Sequence, residues 1–458
     1  MLDVAGLGIE DFHLWTSQGY RRCLKVDIPM IGIGITESRR LVIIHIQLLF
    51  PIITNKSNVR DTYLLRYTIT NHHSTMPAQA HGLELNTIHS KIRLLINGLV
   101  NITDTSGEFL LKLPDGRVID TKGWNDWEWT HGIGLYGIWN YYSLTGDRQY
   151  LQIIRDWFSA RFASGGTTKN INTMAVFLTL AHVYEETRDI TYLPWLDSWA
   201  EWAFRDLERT RYGGMQHVTY LEENDQQLWD DTLMMTVLPL AKIGKVLGRR
   251  EYIEEAKRQF LVHVKYLFDS GSGLFFHGWV FANDHDGKGQ GQGQGHNFAE
   301  ARWARGNSWL TIAIPEFLEL IDLDKSDAIR IHLEDTLNAQ CDALLRLQTP
   351  SGMWRTLLDR EEEESYEESS ATAGFAFGML KGRRKKYITN RKVDEVAVRA
   401  VKAVLENIDE ESGELRNTSF GTGMGRDLKH YLDIKRTSMP YGQAMGIMAL
   451  VEFLRVFI

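Results

Sequence analysis

The chain has 458 residues, 43% hydrophobic and 24% charged, a globular composition with room for one large core or two ordinary ones. Its formal net charge of −8 argues against a nucleic-acid binder, because neutralising phosphates requires a concentrated basic surface; a small molecule is the expected partner. The two cysteines, Cys23 and Cys341, exclude a disulfide framework and fit a reducing compartment.

In chain order, the N-terminus has no basic stretch followed by an apolar one, and the longest apolar run, Leu41 to Ile53, is broken by His45, Gln47 and Pro51. Neither a signal peptide nor a membrane span is expected, and the location expected is cytoplasmic. Residues 1–75 hold Ile-rich runs (Ile31-Gly-Ile-Gly-Ile35, Leu41-Val-Ile-Ile-His-Ile46) without a helical period. They are expected to be an N-terminal extension outside the domain, an artefact of gene prediction, with Met76 the natural start and 76–458 the domain.

From Leu85 onward, amphipathic helical patterns dominate. The first places Leu85, Ile88, Ile92, Leu95, Ile96 and Leu99 on one stripe. Others follow near residues 131–144, 147–162, 172–187, 191–207, 228–247, 250–268, 303–322, 327–347, 369–382, 392–408 and 440–456. Between several of them a punctuation recurs: Thr145-Gly-Asp-Arg-Gln-Tyr150, Thr187-Arg-Asp-Ile-Thr-Tyr192 and Leu247-Gly-Arg-Arg-Glu-Tyr252. In each, small or polar residues end one helix and an aromatic starts the next stripe, as in repeated helical hairpins. Twelve helices in six hairpins predict an all-α fold, an (α/α)6 barrel with a cleft at one end. The run Gly287-Lys-Gly-Gln-Gly-Gln-Gly-Gln-Gly295 lacks a P-loop ending and reads as a flexible loop.

Three segments carry candidate chemistry. Trp303-Ala-Arg305-Gly-Asn307-Ser-Trp309 sets two indoles around a guanidinium, which suits an anionic sugar and demands an acceptor, a substrate carboxylate or hydroxyl. Trp229-Asp230-Asp231 opens an inner-helix pattern, where neighbours point about 100° apart, so one aspartate is expected to face the barrel axis. The pair also suits a helix N-terminus, but Trp229 can desolvate a carboxyl and raise its pKa, as a general acid requires. His277 closes an apolar run before Gly278-Trp279; His217 and Trp129 are weaker candidates of the same kind. No zinc, calcium, nucleophile-elbow or dinucleotide signature is present, so neither metal nor cofactor is expected and catalysis falls to side-chain acid and base. The acidic run from Arg360 to Ser369 reads as a solvated loop, with Trp354 within reach of the cleft rim.

The order and spacing of Trp229-x-Asp231-Thr-Leu-x-Met235, His277-Gly-Trp279 and Trp303-Ala-Arg305-Gly-Asn307-Ser-Trp309 resemble glycoside hydrolase family 105, the unsaturated rhamnogalacturonyl hydrolases, with the family 88 unsaturated glucuronyl hydrolases as near relatives. The similarity runs from about Met76 to the C-terminus. It implies an (α/α)6 barrel that removes a Δ4,5-unsaturated uronic acid from the non-reducing end of lyase-generated oligosaccharides by hydrating the C4=C5 bond. On that resemblance Asp231 is the acid and base, with Asp230 pointing elsewhere. His277 and Arg305 would contact the unsaturated ring, Trp229, Trp303 and Trp309 the sugar faces, and Trp129 the cleft entrance.

The chain departs from the family at Asn172, where many relatives carry an aspartate; an amide orients substrate but takes no proton. Two other readings remain at this stage: a sugar 2-epimerase-like isomerase, which needs two facing histidines, and a non-catalytic glycan-binding barrel. An ordinary inverting glycosidase would need a second carboxyl, from Asp126 or Glu128.

Overall fold

The computed structural model describes residues 79–281, 295–297, 299–360 and 365–457, together with the backbone of two strands at 34–38 and 41–45. The chain divides into two units, Met1–Met76 and Pro77–Ile458. In the first, Gly34–Ser38 pairs antiparallel with Leu41–His45. The glycine-rich loop and Glu361 to Glu364 lie outside the described residues.

The second unit is a double ring of helices. Twelve long ones are α1 (Leu85–Asn101), α2 (Trp129–Thr145), α3 (Arg148–Ala163), α4 (Val176–Thr187), α5 (Leu193–Glu201), α6 (Leu238–Leu247), α7 (Arg250–Leu267), α8 (Ala304–Ile321), α9 (Ala328–Leu347), α10 (Ser369–Arg384), α11 (Lys392–Glu406) and α13 (Pro440–Phe457). The short α12, Leu428–Leu432, was not expected; five residues are too few to show a period. Helices α2, α4, α6, α8, α10 and α13 pack side by side in that order, and α13 returns onto α2 to close the ring. The other six long helices lean on it from outside. This is the (α/α)6 barrel that the patterning predicts.

Composition separates the two layers. Outer helix α1 buries the single stripe Ile88, Ile92, Leu95, Ile96 and Leu99, whereas inner helix α2 is buried nearly all round. The recurring punctuation marks have a common geometry. The residue after each helix adopts a left-handed conformation: Gly146 at φ 68°, Arg188 at φ 55° and Gly248 at φ 69°. In the first two, Asp147 and Asp189 cap the next helical turn through their side chains. Tyr150, Tyr192 and Tyr252 are then buried in the core.

Inner helices approach closely where glycine removes a side chain. A Cβ on Gly378 of α10 would overlap the backbone carbonyl of Thr311 on α8. Backbone cannot swing aside as a side chain can, so Gly378→Ala is expected to cost at least the overpacking penalty of about 1–3 kcal/mol of stability, read as a lower urea midpoint. Trp354, expected at the cleft rim, is instead fully buried: it packs on Phe375, and its Nε1 donates to the Leu344 carbonyl at 3.0 Å. An indole this large without outlying polar neighbours gains more from the core.

Candidate active site

The N-terminal ends of the six inner helices each deliver one polar or charged side chain to the same end of the ring: Glu128 before α2, Asn172 before α4, Asp231 before α6, Arg305 on α8, Glu368 before α10 and Tyr441 on α13. Their contacts tie them together. Asn172 and Asp231 both act electrostatically on the Glu128 carboxyl. Arg305 acts electrostatically on Asp231, lies 3.8 Å from Glu368 and stacks over Tyr441 at 4.9 Å. Tyr441 in turn stacks on Trp129 at 4.5 Å. Helix N-termini converging on one spot favour an anion there.

The local backbone explains the placing of Asp231. The strand Gln227–Trp229 pairs with Gly278–Val280, and the Asp230 amide donates to the His277 carbonyl at 3.0 Å. The chain then turns, passes through a π-helical turn at Leu233–Val237 and enters α6. Pro239 has no N–H to give back to Met235, which suits the wider turn. The helix therefore starts later than its pattern suggests, and both aspartates stand on the turn before it. The two side chains diverge: Asp231 Oδ1 lies beside His217 Nδ1, while Asp230 turns toward Gly306 of α8. It is fully buried beside Asp231 and Arg305, neither of its oxygens has a hydrogen-bond partner, and Oδ2 occupies the space a Cβ on Gly306 would need.

Aromatic rings line the site. His217 stacks on Trp229 with centroids 4.1 Å apart and an interplanar angle of 5°, while its Nδ1 lies 2.9 Å from Thr232 Oγ1 and 3.3 Å from Asp231 Oδ1. His277 meets Trp229 edge-on at 5.5 Å and Trp303 at 4.6 Å. Trp309 supports Trp129 edge-to-face from beneath and is itself buried. A segment overlooked in the sequence, Phe420 to Gly425, walls the site. Gly421 rests on Trp129, Gly423 on Trp229, and Met424 fills the space above Gly278.

Burial dominates the electrostatics. It raises Asp231 to about 7 against the pull of Arg305, and raises Glu128 to about 8 against three hydrogen-bond donors. Asp230 is driven well above the carboxylate range by burial and by the charge of Asp231. Burial lowers His217 to about 3 and His277 well below its usual value, so both rings are neutral. Gly425 donates its amide to the Tyr431 hydroxyl at 2.9 Å, and that hydroxyl lies 2.8 Å from His277 Nδ1. The other ring nitrogen of His277, Nε2, has no protein partner.

All nine residues singled out from the sequence, Asp231, Trp129, Asn172, His217, Trp229, His277, Trp303, Arg305 and Trp309, belong to this one cluster. Arg305 differs from expectation in its acceptors. Its guanidinium is fully buried and donates to the Ser419 carbonyl and Oγ and, at 2.8 Å, to the Phe420 carbonyl; only Nε lacks a partner. Glu368, assigned to a solvated run, is fully buried, caps α10 through the Ala371 amide and accepts from the Ser419 amide at 2.8 Å. Of the two candidate second carboxyls, Asp126 is committed to the Asp120 and Trp127 amides, and Glu128 is the one facing Asp231.

A closed six-hairpin ring with an acid, neutral histidines and aromatic faces at its amino end is a carbohydrate-active (α/α)6 barrel. The chain belongs to Glycosyl Hydrolase Family 88, whose profile matches residues 101–457. It is similar to the crystal structure of a possible member of the GH105 family from Salmonella enterica, 56% identical over 86% of this chain and 100% of that one, with a TM-score of 0.79. A possible member of the same family from Klebsiella pneumoniae is 54% identical over the same shares, TM-score 0.78. The unsaturated rhamnogalacturonyl hydrolase YesR of Bacillus subtilis is 29% identical over 72% of this chain and 90% of its own length.

Proposed function

We propose that this glycosidase removes a Δ4,5-unsaturated uronic acid from the non-reducing end of lyase-generated oligosaccharides of the pectin and rhamnogalacturonan type. The observation that supports it most is Asp231: a carboxyl beside the neutral His217, raised to about 7, at a helix-terminal cluster suited to an anion. Protonated Asp231 gives its proton to C4 of the vinyl ether, and positive charge develops across C5 and the ring oxygen. The Asp231 carboxylate then takes a proton from water as the water oxygen bonds to C5, which restores the acid. The resulting hemiketal opens and releases the shorter sugar.

In this reading Trp129, Trp229 and Trp303 face the sugar, with Trp309 supporting Trp129. Asn172, His217 and the unpartnered His277 Nε2 meet its hydroxyls, and Arg305 fixes the wall while its charge favours the uronate. The domain we assign to this activity is 76–458, with 1–75 outside it, and the compartment we assign is the cytoplasm. Among the described residues no helix is long and apolar enough to cross a membrane.

His217 and His277 both contact the Trp229 indole, which stands between them, rather than facing each other as a 2-epimerase needs. Both are buried and depressed far below neutrality, which makes them poor proton carriers, so the hydrolase reading stands ahead. Incubation with unsaturated disaccharides from different lyases, following the ultraviolet absorbance of the conjugated double bond, tests the reaction. Loss of absorbance is expected, and persistence with every uronyl disaccharide would overturn the proposal.

The same experiment has a pH signature. Asp231 must begin each cycle protonated, so its working form is present below its titration at about 7 and lost above it. On the alkaline side kcat/KM, which reports the free enzyme, is expected to fall about tenfold per pH unit. A rate rising through that range would assign the first step to a base.

A further inference from the structure

The opposite end of the inner ring is polar as well, although packing between helices has no need of charge there. Lys242 of α6, Glu316 of α8, Lys381 of α10 and Glu452 of α13 are all buried. Glu316 lies about 16 Å along α8 from Arg305, at a rise of about 1.5 Å per residue, so this cluster is remote from the cleft. Part of it is ordinary. Lys245 stands in the last turn of α6, and its Nζ donates to the Leu320 carbonyl at 2.7 Å, as a cation near helix carboxyl ends does. Lys242, however, sits in the middle of α6 and is 3% exposed. A buried ammonium persists only where something offsets its desolvation.

Beside it, between α4, α6 and α8, is a cavity of about 160 Å³. Its polar lining is His182, Lys242, Lys245, Glu316 and Glu319, and leucines complete the wall. The two carboxylates are already paired. Glu319 meets Lys381 at 2.6 Å and Lys385 at 2.5 Å through its two oxygens, and Glu316 meets Lys381 at 2.7 Å; neither of these lysines lines the cavity. The lining cations are less well matched. Lys242 Nζ meets one carboxylate at 2.6 Å, that of Glu185, whose side chain is 43% exposed, and Lys245 gives its bond to a carbonyl. An ammonium has three donors, so both lysines keep N–H groups to spare. His182 stacks on Trp139 at 5.1 Å. Burial, and then the nearby Lys242, Lys381 and Lys245, hold its ring neutral, with one nitrogen to donate and one to accept.

We propose that this cavity is a second binding site, for one small hydroxylated carboxylate the size of a single sugar ring. Lys242 and Lys245 hold the carboxylate, the remaining lone pairs of Glu316 and Glu319 accept from its hydroxyls, and the leucines cover its carbon framework. The size follows from scale, since a cavity of about 150 Å³ accommodates one six-membered ring. The site stands independently of the reaction assigned to the cleft.

The test titrates the full-length protein with D-galacturonate, D-galactose and inorganic phosphate by isothermal calorimetry. Galacturonate is expected to bind more tightly than phosphate, and galactose, a similar ring without the charge, is expected not to bind. Lys245→Gln, a change at an exposed position, should raise the galacturonate Kd about tenfold while leaving the fold unchanged by circular dichroism. Lys242→Gln should act in the same direction, and where it unfolds the chain Lys245→Gln decides alone. Galacturonate binding that is indifferent to Lys245→Gln belongs to the cleft and overturns the proposal. So does equal binding of galactose, which removes the lysines from recognition, or tighter binding of phosphate, which makes the cavity a site for a bare oxyanion. Absence of any binding overturns it outright.

Discussion

Asp231→Asn lowers kcat by about 10²-fold or more while leaving the barrel folded. Asparagine matches the aspartate in shape but has no proton to give to C4 and cannot take one from water. Little in the fold depends on the carboxyl. Its nearest polar neighbour is His217 at 3.3 Å, Oδ1 has no hydrogen-bond partner, and the side chain is 18% exposed. Single-turnover measurement of the ultraviolet signal, with far-ultraviolet circular dichroism as the folding control, checks both halves. The result separates an enzyme from a glycan-binding barrel, which would be indifferent to the change. Turnover within tenfold of the parent would assign the proton to Asp230 or Glu128, the two other carboxyls that burial pushes upward.

Arg305→Ala is expected to cost about 3–5 kcal/mol of stability, the range for removing one partner of a buried ion pair. The residue gathers Glu368 at 3.8 Å, the Ser419 and Phe420 carbonyls and the faces of Trp303 and Tyr441. Alanine leaves that buried carboxylate without its cation and the Phe420 carbonyl without its donor. It also frees the segment from Phe420 to Gly425 from its anchor, so kcat/KM should fall together with the urea midpoint. Arg305→Lys retains the charge without the planar fork and should recover only part of either loss. An unchanged midpoint would mean that the carbonyls find other donors.

The sequence motif around Arg305 pointed to a ligand acceptor where the guanidinium in fact meets Ser419 and Phe420, and the reason is distance along the chain. Ser419 and Phe420 lie more than a hundred positions away, where no local pattern links them to α8. The helical hairpins were legible because their signals are local: one apolar stripe, a left-handed residue such as Gly146 and a capping aspartate such as Asp147. Glu368 was lost in a run of acids whose other members say nothing about the one that caps α10. Tyr441 carries no signal of its own, since an aromatic at the start of an apolar helix looks like core until the ring closes against Trp129.

Closure of the inner ring has a consequence for synthesis. Its final member, α13, is the last eighteen residues of the helical pattern, and it packs on α2, more than three hundred positions earlier, as well as on α1 and α10. While the ribosome still holds that segment, the apolar flank of α2 that carries Gly137 has no partner, since this glycine is where Ala444 of α13 later seats. Nascent chains should therefore expose a sticky seam until α13 has left the ribosome, and folding should be governed by this one late, non-local docking event. A stop codon before Pro440 would leave an open horseshoe, without Tyr441 against Trp129.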